Sequence, residues 1–459
     1  MSSLSIKKLK LWDYRCFDTV DINFHERLTV LVAPNGAGKS AVLDAIAIAF
    51  GPYLGAFDEA VGRHFKSSDI RMLRVRETTS NEMEYCPNGV RLEAFGFIPN
   101  NTPGAFQRAQ TKWARALSGP SKAKTTIKEA KELIDFGKRL QNAVRTPNRN
   151  TVLPLLAYYG TGRLWQQKKL TVSKKIHRTS RTVGYTDCMD PASTYKTFVD
   201  WFRYWSINAL KGKEEAIKSN SVYTQTEFDH NIESVSYAIN ACLAPVGWRN
   251  IGYSVAQEEM VVQHDEHGEL PVELLSDGIR NMIGLVADIA FRATKLNPQL
   301  GSEASRRTPG VVLIDEVDMH LHPEWQQVVL KSLVNTFPEV QFIVTTHSPQ
   351  VLTTVKMENI RLLGRDADGS WHASMPQQEI IGAESAMALN DIMRVNPIPP
   401  VEEAQWLADY TAKIESGTYE DTDGRILREK LLDLYGPSHP IMLDVDRLIR
   451  FQAFKLRKK

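Results

Sequence analysis

The sequence predicts an α/β fold whose parallel sheet draws strands from both ends of the chain. Three observations carry this. Residues 28–32, Leu-Thr-Val-Leu-Val, form a continuous apolar, largely β-branched run, as a strand buried on both faces requires, and a glycine-rich turn and a helical stretch follow. Residues 311–314, Val-Val-Leu-Ile, are a second such run and end in Asp315-Glu316. Residues 340–344, Val-Gln-Phe-Ile-Val, are a third and lead to His347. In open sheets of this kind, ligands bind outside the carboxyl ends of the strands, where all three runs place their polar residues.

Taken in order, Ile6, Leu9 and Leu11 lead in one strand. Val20, Ile22 and Phe24 alternate with polar residues, the period-two mark of a half-buried strand. Residues 39–50 read as the helix after the glycine turn. Its stretch 41–50 is also the longest apolar run, and Asp44 interrupts it. A membrane span needs roughly 20 such residues, so no membrane partner is expected. The N-terminus lacks the apolar core of a signal peptide, and Cys16, Cys86, Cys188 and Cys242 show no paired spacing. Both features fit a cytoplasmic protein. A net charge of +2 does not by itself announce nucleic-acid binding.

Residues 101–150 turn polar and basic, from Arg108 to Arg149, with only Glu129, Glu132 and Asp135 in opposition. Ile127, Leu133, Ile134 and Leu140 suggest helix there, so the region reads as a helical insertion. Residues 152–159 return to a buried strand, and a second basic stretch, 163–181, reads as a loop. In residues 194–216, Phe198, Trp201, Phe202 and Trp205 fall at i, i+3, i+4 and i+7, one face of a core-packed helix. After residue 397 the chain is mostly helical. The expected division is an N-terminal lobe at 1–100, a mostly helical insertion at 101–260 with a core strand near 152–159, a second lobe at 261–396, and a helical tail at 397–459.

The strongest motif is Ala33-Pro-Asn35-Gly36-Ala37-Gly38-Lys39-Ser40. It lies between a buried strand and a helix, the context a phosphate-binding loop needs. Gly36 and Gly38 let backbone N–H groups approach phosphate oxygens at a helix N-terminus. Lys39 reaches the β- and γ-phosphates of ATP, and the Ser40 hydroxyl ligates Mg²⁺. The pattern has Ala33 where a first glycine normally sits, which is tolerable if that residue keeps a negative φ. Asp315 is placed to hold the Mg²⁺, and Glu316 to act as general base on the attacking water. His347 follows by one strand–helix–strand step and is placed beside the γ-phosphate. Ser276 and Gly278, in Leu274-Leu-Ser-Asp-Gly278, open a helical stretch and offer a second anion site, although Ser-Asp-Gly is also ordinary turn chemistry.

Lys39 and Asp315 are too far apart in sequence for a compact phosphate-loop domain, so both chain ends build one site around an insertion. This order resembles the ABC-type P-loop ATPase heads of the structural-maintenance-of-chromosomes, Rad-fifty and RecF kind. Leu11-Trp-Asp-Tyr-Arg15-Cys-Phe17 before the loop looks like theirs, and Leu275-Ser-Asp-Gly278 is similar to the ABC signature. The resemblance implies that the signature of one subunit closes on the nucleotide of another, hence a homodimer or higher homo-oligomer. It also implies that Arg15 assists at the nucleotide. In those families a glutamine-bearing loop follows the first lobe, for which Gln166 and Gln167 are the candidates. Asp318-Met-His320-Leu-His322-Pro323 has two readings: a His-x-His metal pair, or the loop that touches the opposing subunit with Asp318 at the junction.

No long heptad array is present, which argues against a chromosome-organising protein. Pro154-Leu-Leu-Ala-Tyr-Tyr-Gly160-Thr-Gly-Arg163-Leu-Trp165, together with residues 315–323 and the helical tail, resembles the ATPase subunits of Septu-type anti-phage systems and of some retrons. That likeness implies a regulatory ATPase paired with a separate HNH nuclease. Two alternatives stand beside it. One is a self-contained ATPase-nuclease of the overcoming-lysogenization-defect (OLD) kind, for which Asp421-x-Asp423 and Asp444-x-Asp446 are the metal-binding candidates. The other is a RecF-like DNA-repair ATPase, whose DNA partner the two basic stretches would suit.

Overall fold

The computed structural model describes residues 4–74, 83–99, 110–121, 124–146, 150–163, 180–190 and 195–457. The chain divides into two compact units, residues 1–388 and 389–459.

The first unit is built on a six-stranded sheet in the order Trp371–Ser374, Ile360–Arg365, Leu28–Val32, Val340–Thr345, Gly310–Ile314, Leu155–Tyr159. Every neighbouring pair is parallel except the edge hairpin formed by the first two. Every residue of the four strands from Leu28–Val32 to Leu155–Tyr159 is buried, which is why they read as unbroken apolar runs. Each fully buried Val, Leu or Ile contributes about 1.5–3 kcal/mol. Ile314 lies opposite both Tyr159 and Val344, and Thr345 opposite Leu31. That register brings residues 33, 160, 315 and 346 out at one edge.

A second, antiparallel sheet has the order Phe17–Asn23, Ser5–Tyr14, Val90–Phe97, Thr111–Leu117. Its last strand falls in the stretch expected to be helical. The reason is an inward-facing basic residue. The Arg115 side chain is buried and donates to the carbonyls of Ile48 at 2.8 Å and Arg63 at 2.6 Å. Beside it the Trp113 indole donates to the Ala49 carbonyl at 2.9 Å. A cation on the core face hides the strand's period. The helical part of the insertion is Lys131–Arg145, and three more strands, Trp248–Ser254, Glu259–His264 and Gly268–Pro271, form a small sheet near its end. Arg108, Lys122, Arg149 and most of the basic stretch 163–181, with Gln166 and Gln167, lie outside the described residues.

The helix Tyr195–Lys218 packs its aromatic face as expected. Phe198, Phe202 and Trp205 are buried, and Trp201 and Trp205 lie 6.0 and 5.7 Å from the Phe291 ring on the helix Asp277–Leu296. The second unit is three helices, Glu402–Ser416, Thr422–Tyr435 and Pro440–Arg457, around Tyr410, Ile414, Leu431, Met442 and Val445. Asp421 caps the middle helix, accepting from the Gly424 N–H at 2.7 Å, and pairs with Lys413. Asp444 pairs with Arg447. Among the described residues no helix is long and apolar enough to cross a membrane.

Candidate active site

The turn after Leu28–Val32 owes its shape to two glycines in the left-handed region, Gly36 at φ 78° and Gly38 at φ 87°. Gly38 is doubly constrained, because a Cβ there would press on the Phe17 ring and lie 2.7 Å from Cys16 Sγ. Ala33 is not among the residues with positive φ, so its methyl is accommodated where the usual pattern has glycine. The helix Lys39–Leu54 starts at once, with Lys39 and Ser40 in its first turn.

Lys39 is buried, and its Nζ donates to the carbonyls of Ala33 at 2.8 Å and Pro34 at 3.3 Å. Burial lowers its pKa, while the charges of Asp315, Glu316 and Asp318 pull the other way. The structure thus brings the phosphate-loop lysine and the acidic pair together across most of the sequence. Asp315 is buried at the end of Gly310–Ile314, and its N–H donates to the Tyr159 carbonyl at 2.8 Å. Glu316 takes a left-handed φ of 50°, rare for a residue with a side chain and common at functional sites.

Sequence reasoning missed the residue that joins the two acids. The Thr345 hydroxyl donates to Asp315 Oδ1 at 2.6 Å and accepts from the Glu316 N–H at 2.7 Å. One hydroxyl therefore fixes the direction of the first carboxylate and the backbone of the second. The next residue repeats the device, with the Thr346 hydroxyl donating to Asp318 at 2.6 Å. His347 follows on the same segment and is half-buried.

Arg15 is occupied by carboxylates. Its guanidinium meets Asp44 at 2.6 Å and Asp69 at 2.8 Å, and Asp44 also holds Arg63 at 2.6 Å. Asp44 stands one helical turn past Ser40, on the same face. Beyond it lies Tyr158, whose hydroxyl is held far above its ordinary pKa by burial and then by Asp44 and Asp315.

Ser276 precedes the helix Asp277–Leu296 as its N-cap, and Gly278 sits in the first turn. A Cβ on Gly278 would strike the carbonyl oxygen of His320, itself at a left-handed φ of 61°. The signature segment therefore rests on the loop that follows the acidic pair. Further along the helix, Asp288 accepts from the Tyr159 hydroxyl and from Arg292 Nε, both at 2.7 Å, which ties the signature helix to the strand beside Asp315. His322 caps the short helix after the loop by accepting from the Glu324 N–H. Among the described residues no cluster of three or more His, Cys, Asp or Glu is grouped to hold a metal, so the His-x-His reading gains no ligands here.

A phosphate loop and an acidic strand end, closed by a threonine-bearing neighbouring strand and fed from both chain ends, make one candidate nucleotide site. Comparison with known proteins agrees. A family profile described as an AAA domain matches residues 8–234, and one described as an AAA domain, putative AbiEii toxin, Type IV TA system, matches residues 247–353. The chain is 26% identical over 450 residues to the retron Vc95 probable ATPase of Vibrio cholerae serotype O1 biovar El Tor, covering 89% of this chain and 82% of that protein. It is 26% identical over 499 residues to the retron Ec83 probable ATPase of Escherichia coli, covering 96% and 86%. A shorter match, 32% over 112 residues, joins it to the Septu protein PtuA of Bacillus thuringiensis, over 24% of this chain and 27% of that protein. The chain is thus similar to the probable ATPases of two retrons over most of its length and to a Septu protein over a shorter stretch, and it carries matches to two AAA-domain profiles.

Proposed function

We propose that this ATPase is the regulatory subunit of a bacterial anti-phage defence complex and controls a separate HNH nuclease by binding and hydrolysing ATP. The observation that carries the reading is the convergence of Lys39 on Asp315, Glu316 and Asp318, in a chain similar to retron ATPases over most of its length. The donor set suits a magnesium nucleotide. Lys39 is a desolvated cation among backbone carbonyls, and the Ser40 hydroxyl and Asp315 carboxylate are hard oxygen ligands. Bound Mg²⁺ neutralises charge on the β- and γ-phosphate oxygens.

The chain's own residues do the rest. Asn35, Gly36, Ala37 and Gly38 present backbone N–H groups to the phosphates. Glu316, held in place by Thr345, takes the proton of the attacking water, and His347 hydrogen-bonds the γ-phosphate or that water. Ser276 and Gly278 reach the nucleotide of a second copy, so the working unit is at least a homodimer. Arg15 joins the nucleotide only if it leaves Asp44 or Asp69.

The test is a cleavage assay on purified protein. Incubated alone with plasmid or phage DNA and Mg²⁺ or Mn²⁺, with and without ATP, the chain leaves the DNA intact. Cutting begins when the HNH protein encoded beside it is added. Cutting by the chain alone that vanishes in Asp421→Ala or Asp444→Ala would replace this reading with the self-contained nuclease.

A further inference from the structure

The second unit carries a cleft that the ATPase chemistry does not use. It measures about 600 Å³ and opens between the three tail helices. Its floor is Tyr410, fully buried, and Ile449. Three arginines stand in its walls: Arg425 and Arg428 from Thr422–Tyr435, and Arg450 from Pro440–Arg457.

These arginines are held to different degrees. Arg428 is anchored, with its guanidinium donating to Asp446 at 2.8 Å and to the Tyr410 hydroxyl at 3.3 Å. Arg450 donates from Nε to the Asp446 carbonyl at 3.2 Å. Arg425 is exposed and forms no ion pair among the described residues. The cleft therefore keeps one fixed cation and two adaptable ones, against Glu420 and the already engaged Asp446.

Large apolar side chains stand exposed on the two helices that supply these arginines. Ile426, next to Arg425, is 48% exposed, and Phe451, next to Arg450, is 62% exposed. On the last helix Arg447, Arg450, Phe451 and Phe454 recur at i, i+3, i+4 and i+7 and share one exposed face. The opposite face, with Met442 and Val445, packs in the core of the unit.

We propose that this cleft docks a protein partner through a carboxylate flanked by apolar side chains. Three observations set the chemistry of the occupant. All the cations of the cleft are arginines, whose planar fork fits a carboxylate in a two-point contact. Glu420 and Asp446 offset two of the three arginines, so the cleft suits a single acid and lacks the strong positive charge that a run of phosphates requires. Tyrosine, arginine and exposed aromatic residues around a buried floor are the composition of protein-interface anchors, from which lysine is depleted. The proposal extends the reading of the chain as an ATPase that works through a second protein, and its test does not depend on ATP.

The test selects ligands from a random-peptide library displayed on yeast, using the full-length chain and its Arg425→Glu/Arg450→Glu variant. Neither residue belongs to the ATPase site, so the variant keeps parental turnover and melting temperature. The parental chain enriches peptides with Asp or Glu between apolar residues. A synthetic copy of the best one binds the variant about tenfold or more weakly, as expected when hydrogen bonds to a charged group are lost. Replacing its acid with Lys restores binding to the variant. Failure to enrich such peptides, or equal binding to both chains, overturns the proposal. So does the case in which oligo-dT binds the parental chain, is lost in the variant, and no peptide is enriched. Loss of ATPase activity in both chains would instead strike the functional reading and leave the docking result standing.

Discussion

In the proposed mechanism Lys39 and Glu316 divide the work of the site, and two substitutions separate them. Lys39→Ala removes the loop's side-chain cation. A hydrogen bond to a charged group contributes about 1.5–3 kcal/mol, so affinity for labelled ATP should fall about 10- to 100-fold, and protection against phage should fall with it. Glu316→Gln keeps the shape and the backbone bond from Thr345, so ATP affinity should hold while turnover falls about 10²–10⁴-fold. A Lys39 variant with parental affinity, or a Glu316 variant with parental turnover, removes that residue from its role. The places of both residues were legible in the sequence because their signals are local: a glycine turn before one, an apolar strand before the other. Thr345 was not, because a threonine at a strand end looks like any other strand residue. Its role exists only once the parallel register sets it beside Asp315. The pairing of Asp44 with Arg15 and Arg63 escaped for the same reason, since nothing near residue 44 announces partners at 15 and 63.

At the scale of elements, the helix Asp277–Leu296 carries a buried ion pair of its own, Asp288 with Arg292, and is tied to the core sheet where Asp288 accepts from the Tyr159 hydroxyl. Asp288 and Arg292 have side chains 5% and 7% exposed, and Tyr159 and the carbonyls of Gly184 and Thr186 complete their hydrogen bonds. Removing one member of a buried pair leaves a stranded charge, which typically costs about 3–5 kcal/mol. Asp288→Ala should therefore lower the urea midpoint by a corresponding amount, read by far-UV circular dichroism. An unchanged midpoint would show that the pair holds nothing in place. The helix itself was readable as the helical stretch that Ser276 and Gly278 open. Four strands of the six-stranded sheet were readable too, because burial on both faces leaves continuous apolar runs; Ile360–Arg365 and Trp371–Ser374, only partly buried, were not. The strand Thr111–Leu117 was not, because Arg115 points into the core and its charge is met by backbone carbonyls that no local pattern reveals.

At the scale of the whole molecule, the proposal that Ser276 and Gly278 of another copy complete the site requires assembly. Light scattering should find at least a dimer in the presence of ATP and the Glu316→Gln substitution, where bound nucleotide persists. A strict monomer with full ATPase activity would contradict it. The order of the central sheet has a further consequence, for synthesis rather than catalysis. Leu28–Val32 has as its sheet neighbours Val340–Thr345 and Ile360–Arg365, so the first core strand made must wait for strands made near the end. Ribosomes add about 5–20 residues per second, so crossing roughly 300 residues takes about 15–60 s. Through that interval the apolar strand, every residue of which is buried in the finished protein, leaves the ribosome without its final sheet partners, whereas the helix Lys39–Leu54 can already meet Thr111–Leu117. Nascent chains stalled before residue 340 should be protease-sensitive and bound by chaperones, and the site should appear only as the last core strands emerge.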